Sequence, residues 1–289
     1  MVLMQSPLVT VIIASYQHCD FVIESIQSVI DQDYPNIELI VIDDGSTDDS
    51  VEIIQQLAAQ YSFTFRYREN RGLAETLNEA LAMAGGKYIC QLGSDDVMLP
   101  GKTRRQVEFM EREPGIAVSG GNAEMIDGKG RIIANRKPPP GYREISFENL
   151  FAETGPGIFA SSAMIRKSVL DELGGWNADI QLEDMYMWFK VTSRGYRMVG
   201  LGENLIKYRI HGDNTYKKAW KMYSALLKTI EDYKSHPLYQ QVYAKHTKSY
   251  FIRASKTDRE SAKKILSNIP LSSWDLKITR AVVRTYLGI

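Results

Sequence analysis

Three pairs of neighbouring carboxylates stand out in this sequence: Asp43-Asp44, Asp95-Asp96 and Glu183-Asp184. A carboxylate can accept hydrogen bonds, hold a hard cation or take up a proton, and paired acids can divide those tasks. At Asp43-Asp44 one of them could accept from a base N–H or a ribose hydroxyl. At Asp95-Asp96 the pair could hold a divalent cation that keeps some waters and bridges phosphate oxygens. Both pairs sit in turn-forming company, DDGS and GSDD, and either alone reads best as a turn signal. Two of them at two adjacent strand ends favour a ligand site over coincident turns. Glu183 and Asp184 open a helical segment, where unpaired backbone N–H groups favour an ionised carboxylate.

The surrounding segments say what would position these acids. Residues 9–14 and 37–42 are short apolar runs, the pattern of strands buried on both faces, and residues 63–67 and 87–92 read as a third and a fourth strand. Between them, residues 20–31, 51–59 and 72–84 carry apolar side chains at helical spacing, with Ser46, Thr47 and Asp48 as capping candidates for the second helix. Strands alternating with helices predict an α/β fold with a doubly wound, mostly parallel sheet. In such sheets ligands bind beyond the carboxyl ends of the strands, where Asp43-Asp44 and Asp95-Asp96 fall. Further along, residues 102–113 and 183–193 read as helices, and residues 116–125 and 131–134 as strands joined by DGKG. Residues 137–142 hold three consecutive prolines and read as an extended loop. Beyond His211 the pattern is helical, interrupted by Pro237 and Pro270.

The chain has 289 residues, with 44% hydrophobic and 24% charged residues, an ordinary globular balance. Its formal charge is zero, yet residues 1–214 carry 20 basic and 30 acidic side chains, and residues 215–289 carry 15 and 5. The basic tail therefore suits an anionic surface. Cys19 and Cys90 show no CxxC or disulfide-like spacing and read as small core residues in a reducing compartment. The apolar run at the N-terminus is too short to span a bilayer and lacks a basic leader, so a cytoplasmic location is expected. Nothing points to nucleic-acid binding.

Five segments, VTVIIASYQH, ELIVIDDGSTDDS, ENRGLAETLNEAL, GKYICQLGSDDVMLP and GGWNADIQLEDMYMW, occur in this order over about residues 8–213. Together they resemble the large inverting glycosyltransferase family 2, whose Rossmann-like fold is called GT-A. The resemblance implies a GT-A catalytic domain over 1–213 and leaves 214–289 as a basic α-helical appendage. It implies transfer of a sugar from a nucleotide-sugar donor, UDP-linked by expectation, to a hydroxyl of a saccharide or lipid-linked saccharide in bacterial surface-polysaccharide synthesis. Ala14 and Tyr16 would line the nucleotide pocket, Asp44 would bind the uracil ring, and Asn70 and Gly72 would lie in the next nucleotide-side loop. Asp95 would coordinate Mn2+ or Mg2+, with Asp96 supporting it on the donor side.

The same resemblance makes Asp184 the catalytic base, because Gly174-Gly175-Trp176 precedes it as in the family. Inversion needs a base behind the acceptor hydroxyl and a leaving diphosphate on the opposite face. Two departures stand out: Gly93 replaces the first acid of the DXD motif of many relatives, and Leu77 replaces an arginine before Asn78. Two readings stand for His211, as a metal or diphosphate ligand or as a hydrogen-bonded residue closing the domain. Lys207 and Arg209 either add charge toward phosphate or face solvent on alternate positions of a strand. His18, His236 and His246 show no ligand spacing and are assigned no role.

In the tail, Trp220, Tyr223, Leu227 and Ile230 alternate with Lys217, Lys218, Lys221 and Lys228, and Trp274, Ile278, Val282 and Tyr286 with Lys277, Arg280 and Arg284. Such faces suit an anionic membrane surface, here the inner face of the plasma membrane, or packing on the catalytic domain or a second subunit. Two rival functions are a sugar nucleotidyltransferase, which would need a glycine- and basic-rich loop where SYQHCDF stands, and a catalytically silent GT-A scaffold.

Overall fold

The computed structural model describes residues 6–135, 138–212 and 219–287. Lys137 at the start of the proline loop, Lys217 and Lys218 of the tail, and the expected boundary at 213/214 lie outside the described residues. Ten strands form one sheet: β1 (Val9–Ser15), β2 (Ile37–Asp43), β3 (Thr64–Tyr67), β4 (Tyr88–Gly93), β5 (Val97–Met98), β6 (Ile116–Asp127), β7 (Ile132–Asn135), β8 (Tyr142–Ile145), β9 (Met164–Arg166) and β10 (Arg197–Ile210). The helices are α1 (Val22–Ile30), α2 (Ser50–Tyr61), α3 (Leu73–Met83), α4 (Lys102–Arg112), α5 (Phe147–Phe151), α6 (Lys167–Leu173), α7 (Glu183–Ser193), α8 (Ala219–Glu231), α9 (Tyr239–Thr257), α10 (Arg259–Leu266) and α11 (Leu276–Leu287).

The sheet order is β3-β2-β1-β4-β9-β6-β10-β5, with β7 beside β6 and β8 beside β10. The pairs β1–β2, β1–β4, β2–β3 and β6–β10 are parallel, so the alternating half of the sequence folds as its pattern predicts. Short antiparallel β9 joins the two parallel blocks, because it pairs with both β4 and β6. Side chains of β1 point alternately to the two faces: Val9, Val11 and Ile13 enter a core with α1, α2 and α4, while Ile12 enters one with α3, α6 and α7. Helices thus cover both faces, which is why the central strands read as unbroken apolar runs.

Register brings the acids to one edge. Ser15 pairs with Asp43 and Ala14 with Gly93, so the carboxyl ends of β1, β2 and β4 are level. Antiparallel β5 pairs Val97 with Lys207, which draws the end of β10 against the turn carrying Asp95 and Asp96. The capping expectation is corrected: α2 begins at Ser50, and Asp48 instead accepts from the Ser50 and Cys19 N–H groups at 3.1 and 3.0 Å.

In the tail, Tyr223, Phe251, Ala262, Ile265 and Ile278 form their own core. A second cluster joins Leu226, Ile230 and Val242 to Phe147, Phe151 and Phe189 of the α/β portion. Trp274, Ile278 and Val282 pack into the tail's core, while Leu276, Tyr286 and Leu287 remain 67%, 59% and 69% exposed. Among the described residues no helix is long and apolar enough to cross a membrane.

Candidate donor and metal site

Asp95 follows β4 and is held by the strand that arrives beside it. Arg209, near the end of β10, is only 2% exposed. Its Nε donates to the Asp95 carbonyl at 2.7 Å, its backbone N–H to Asp96 Oδ1 at 3.0 Å, and its Nη2 pairs with Glu24 of α1. The Phe21 ring lies 5.0 Å from the guanidinium. Arg209 is thus not solvent-facing, and alternation along the strand misjudges it. Asp96 points inward and also accepts from Ser161 Oγ. Burial, with the charge of Asp95 added, pushes the Asp96 carboxyl up to about 7. Its engaged oxygens make it a support for the turn rather than a direct contact for a donor.

His211 follows β10 and sets Nε2 3.0 Å from Asp95 Oδ2. His18, from the loop after β1, joins them: one ligand atom from each of His18, Asp95 and His211 lies within 4.8 Å of the others. Sequence spacing gives His18 no role, and the fold brings it to this cluster. Two imidazoles and a carboxylate converging on one point are a donor set that fits a divalent transition cation. The 3.0 Å between Asp95 Oδ2 and His211 Nε2 is also about the separation of neighbouring ligands with bonds of roughly 2.1 Å. Gly93 supplies nothing here, since a Cβ on it would fall 2.8 Å from Asp95 Oδ1 and 3.0 Å from Asp96 Oδ2.

On the nucleotide side, Asp43 closes its own turn, accepting from the Ser46 N–H and hydroxyl at 2.8 and 2.7 Å. Asp44 is 4% exposed and gathers the next loop: Oδ1 accepts from Arg71 N at 2.9 Å and from Arg68, and Oδ2 from Gly72 N at 2.8 Å. Gly45 permits this closeness, because at φ +83° it has no Cβ to strike Asn70 N, which would be 2.7 Å away. Asn70 is exposed, Gly72 and Ala14 are half-buried, and the Tyr16 ring is 48% exposed beside the end of β1. Gln17 stitches this loop to the turn after β2, accepting from Thr47 N and Asp48 N at 3.0 and 3.2 Å.

Asp184 stands in the first turn of α7, where its Oδ1 accepts from Met185 N at 2.7 Å. The backbone N–H groups at the helix start favour the ionised form as expected, but burial works against them. Burial lifts the Asp184 carboxyl above the carboxylate range, and burial plus the charge of Asp184 pushes Glu183 up to about 8. The segment leading to this pair is clamped to α3: Asn78 accepts from Trp176 N at 2.8 Å and donates to Trp176 O at 2.7 Å. Gly175 lies so close to Asn78 that a Cβ would fall 2.4 Å from its Oδ1. Apart from these acids, a groove of 610 Å3 lies among β8, α5, the end of α7 and the start of β10, lined by Glu144, Tyr196, Arg197 and Tyr233. It holds none of the predicted site residues.

Known proteins resemble this chain in sequence and in fold. In sequence, the chain is 32% identical over 216 residues to a putative glycosyltransferase, EpsE, of Bacillus subtilis, covering 72% of this chain and 74% of that protein. It is 29% identical to the putative teichuronic acid biosynthesis glycosyltransferase TuaG of the same organism, covering 74% and 84%. A Rickettsia bellii glycosyltransferase is 29% identical over 85% of this chain, and the chain spans only 35% of it. In structure, Staphylococcus aureus TarS in complex with UDP-GlcNAc superposes with a TM-score of 0.66 at 16% identity, covering 96% of this chain and 79% of that one. The mannosyltransferase PcManGT of Pyrobaculum calidifontis, in complex with GDP-Man and Mn2+, gives 0.62 at 16% identity, covering 99% and 86%. These two likenesses establish the GT-A-like fold. The model of glycosyl transferase family 2 matches residues 10–174, more than half of the chain, and the chain belongs to that family.

Proposed function

We propose that this glycosyltransferase moves a sugar from a UDP-linked donor to a hydroxyl of a saccharide, free or lipid-linked, with inversion at the anomeric carbon. The observation that carries the reading is the approach of Asp95 to His211 at the carboxyl edge of the sheet, 3.0 Å apart, where a nucleoside diphosphate needs a counter-charge. Asp95 and His211 would hold Mn2+ or Mg2+, which when bound neutralises charge on the departing diphosphate. Asp44 orients the loop 68–72 and offers its remaining acceptor capacity to the base, with Ala14, Tyr16, Asn70 and Gly72 around it. Asp184 takes the proton of the acceptor hydroxyl as that oxygen bonds to the anomeric carbon and the bond to the diphosphate breaks. Burial strengthens it as a proton acceptor, provided that it is ionised when the acceptor binds.

The name of the TuaG relative supports an acceptor in bacterial surface-polysaccharide synthesis. We assign catalysis to residues 1–213, and to residues 214–289 a peripheral contact with the cytoplasmic face of the membrane. The exposed Leu276, Val283 and Leu287, interleaved with Lys277 and Arg280 on α11, support that contact. The test is a panel of UDP- and GDP-sugars assayed for transfer and hydrolysis with Mn2+, with Mg2+ and with chelator, the product anomer being read by NMR. UDP-sugar turnover that needs metal and inverts the anomer supports the proposal. A retained configuration, turnover in chelator, or a GDP-sugar preference each refutes its corresponding part, and no turnover of any donor returns the silent-scaffold reading.

A further inference from the structure

We propose that His18 is a third protein ligand of the cation, and that the resulting set of two imidazoles and one carboxylate selects Mn2+ or a later transition ion over Mg2+. The inference rests on the reading of Asp95 and His211 as metal ligands and adds to it a residue from a different part of the chain. His18 is fastened from two sides. Its backbone N–H donates to Ser50 Oγ at 3.2 Å, and its Nδ1 lies 2.7 Å from Ser94 Oγ, on the residue next to Asp95. The neighbouring residues are tied down as well: Gln17 bonds Thr47 and Asp48, and Cys19 N–H donates to Asp48 Oδ2 at 3.0 Å. A metal-binding imidazole is usually oriented by a hydrogen bond at its other ring nitrogen or by an equivalent restraint, and Ser94 fits that part.

The place of His18 in the cluster follows from what Gly93 lacks. Residue 93, where many relatives carry an acid, is a glycine and adds no ligand atom; a Cβ there would lie 2.8 Å from Asp95 Oδ1. Asp96 is 2% exposed and turned to Ser161 and the Arg209 backbone, which places it behind the turn. Among the described residues, His18 is the group that brings a ligand atom within 4.8 Å of ligand atoms of Asp95 and His211. Mg2+ favours oxygen ligands and loses its waters reluctantly, whereas imidazole suits transition ions. A second nitrogen donor therefore tilts the site away from Mg2+.

His18 also packs edge-on against His211, with ring centres 5.4 Å apart, so the decisive variant must keep a ring. His18→Phe does so and removes both nitrogens. Mn2+ and Mg2+ affinities of the full chain with UDP would be measured by EPR and by competition, together with nitrogen couplings to bound Mn2+ in pulsed EPR. The expected result is a loss of roughly 10–100-fold in Mn2+ affinity, a much smaller change for Mg2+, and two coupled nitrogens reduced to one. Unchanged Mn2+ affinity in a normally melting His18→Phe protein, or a single coupled nitrogen in the unaltered chain, overturns the inference. Asp95→Ala separates the two levels. If it abolishes Mn2+ binding while His18→Phe does nothing, only the role of His18 falls. If neither variant matters, the metal reading falls with it.

Discussion

Replacing Asp184 by asparagine removes a proton acceptor while keeping the oxygen that receives the Met185 N–H, so the start of α7 should survive the change. General-base catalysis is worth roughly 10²–10⁴ in rate, and the transition state should lose roughly 3–5 kcal/mol. Affinity for UDP and metal should hardly move, because the contacts that organise the nucleotide side come from Asp44, Arg68 and Gln17 rather than from α7. The structure adds a pH signature. Burial raises the Asp184 carboxyl, so the acid limb of kcat/KM should bend well above the ordinary carboxylate range, with activity growing as the pH rises and the base ionises. In the asparagine variant that limb should disappear along with most of the turnover. Glu183→Gln should cost far less, since neighbouring residues on a helix diverge by about 100 degrees. The assay is turnover against pH for the parent and both variants, with UDP affinity by calorimetry. Near-normal transfer by Asp184→Asn, or a larger loss in Glu183→Gln, would refute the placement of the base.

Asp44→Ala should weaken UDP binding with or without metal, while Asp95→Ala should weaken it through the metal alone; calorimetry finding both unchanged would remove the donor-site assignment. The free protein should lose stability as pH rises from about 4.5 toward about 8, because Glu183 holds its proton more tightly folded than unfolded. Glu183→Gln should flatten that slope in thermal melts, and an unchanged slope would count against the interacting, partly buried acid pair. Asn78→Ala should cost about 1–3 kcal/mol by leaving the Trp176 backbone groups without their partner, and should lower kcat while Mn2+ affinity stays constant. Leu276→Asp with Leu287→Asp should reduce association with anionic liposomes, most visibly at low salt, without moving the melting temperature, since both side chains lie outside the tail's core. Equal liposome binding by this double variant would refute the membrane contact.

The parallel half of the sheet was legible because strands covered on both faces leave unbroken apolar runs, and because Asp-rich turns mark their ends. The strands that complete the sheet were not: β5, β8 and β9 have 2, 4 and 3 residues, too short to show a period. Of the proposed site residues, Asp95 follows from its turn, and Asp184 from the resemblance and its helix. His18 could not, since a loop histidine acquires meaning only when Ser94 and His211 come to it from elsewhere in the chain. Arg209 misled for a related reason: alternation predicts a face, but not that Asp96 and Glu24 wait on that face to neutralise it. In the tail, spacing gave helices without naming their neighbours. Ile278 and Val282 proved to be core and Leu276 surface, within one amphipathic pattern.

Phe189 of α7 belongs to the apolar cluster that Leu226 and Ile230 of α8 complete. The helix that carries Asp184 in its first turn is thus braced from behind by the tail. As the proposed base, that carboxylate depends on how little its helix rocks, and that stiffness comes in part from residues of the tail. Whatever grips the last quarter of the chain also grips the platform under the base.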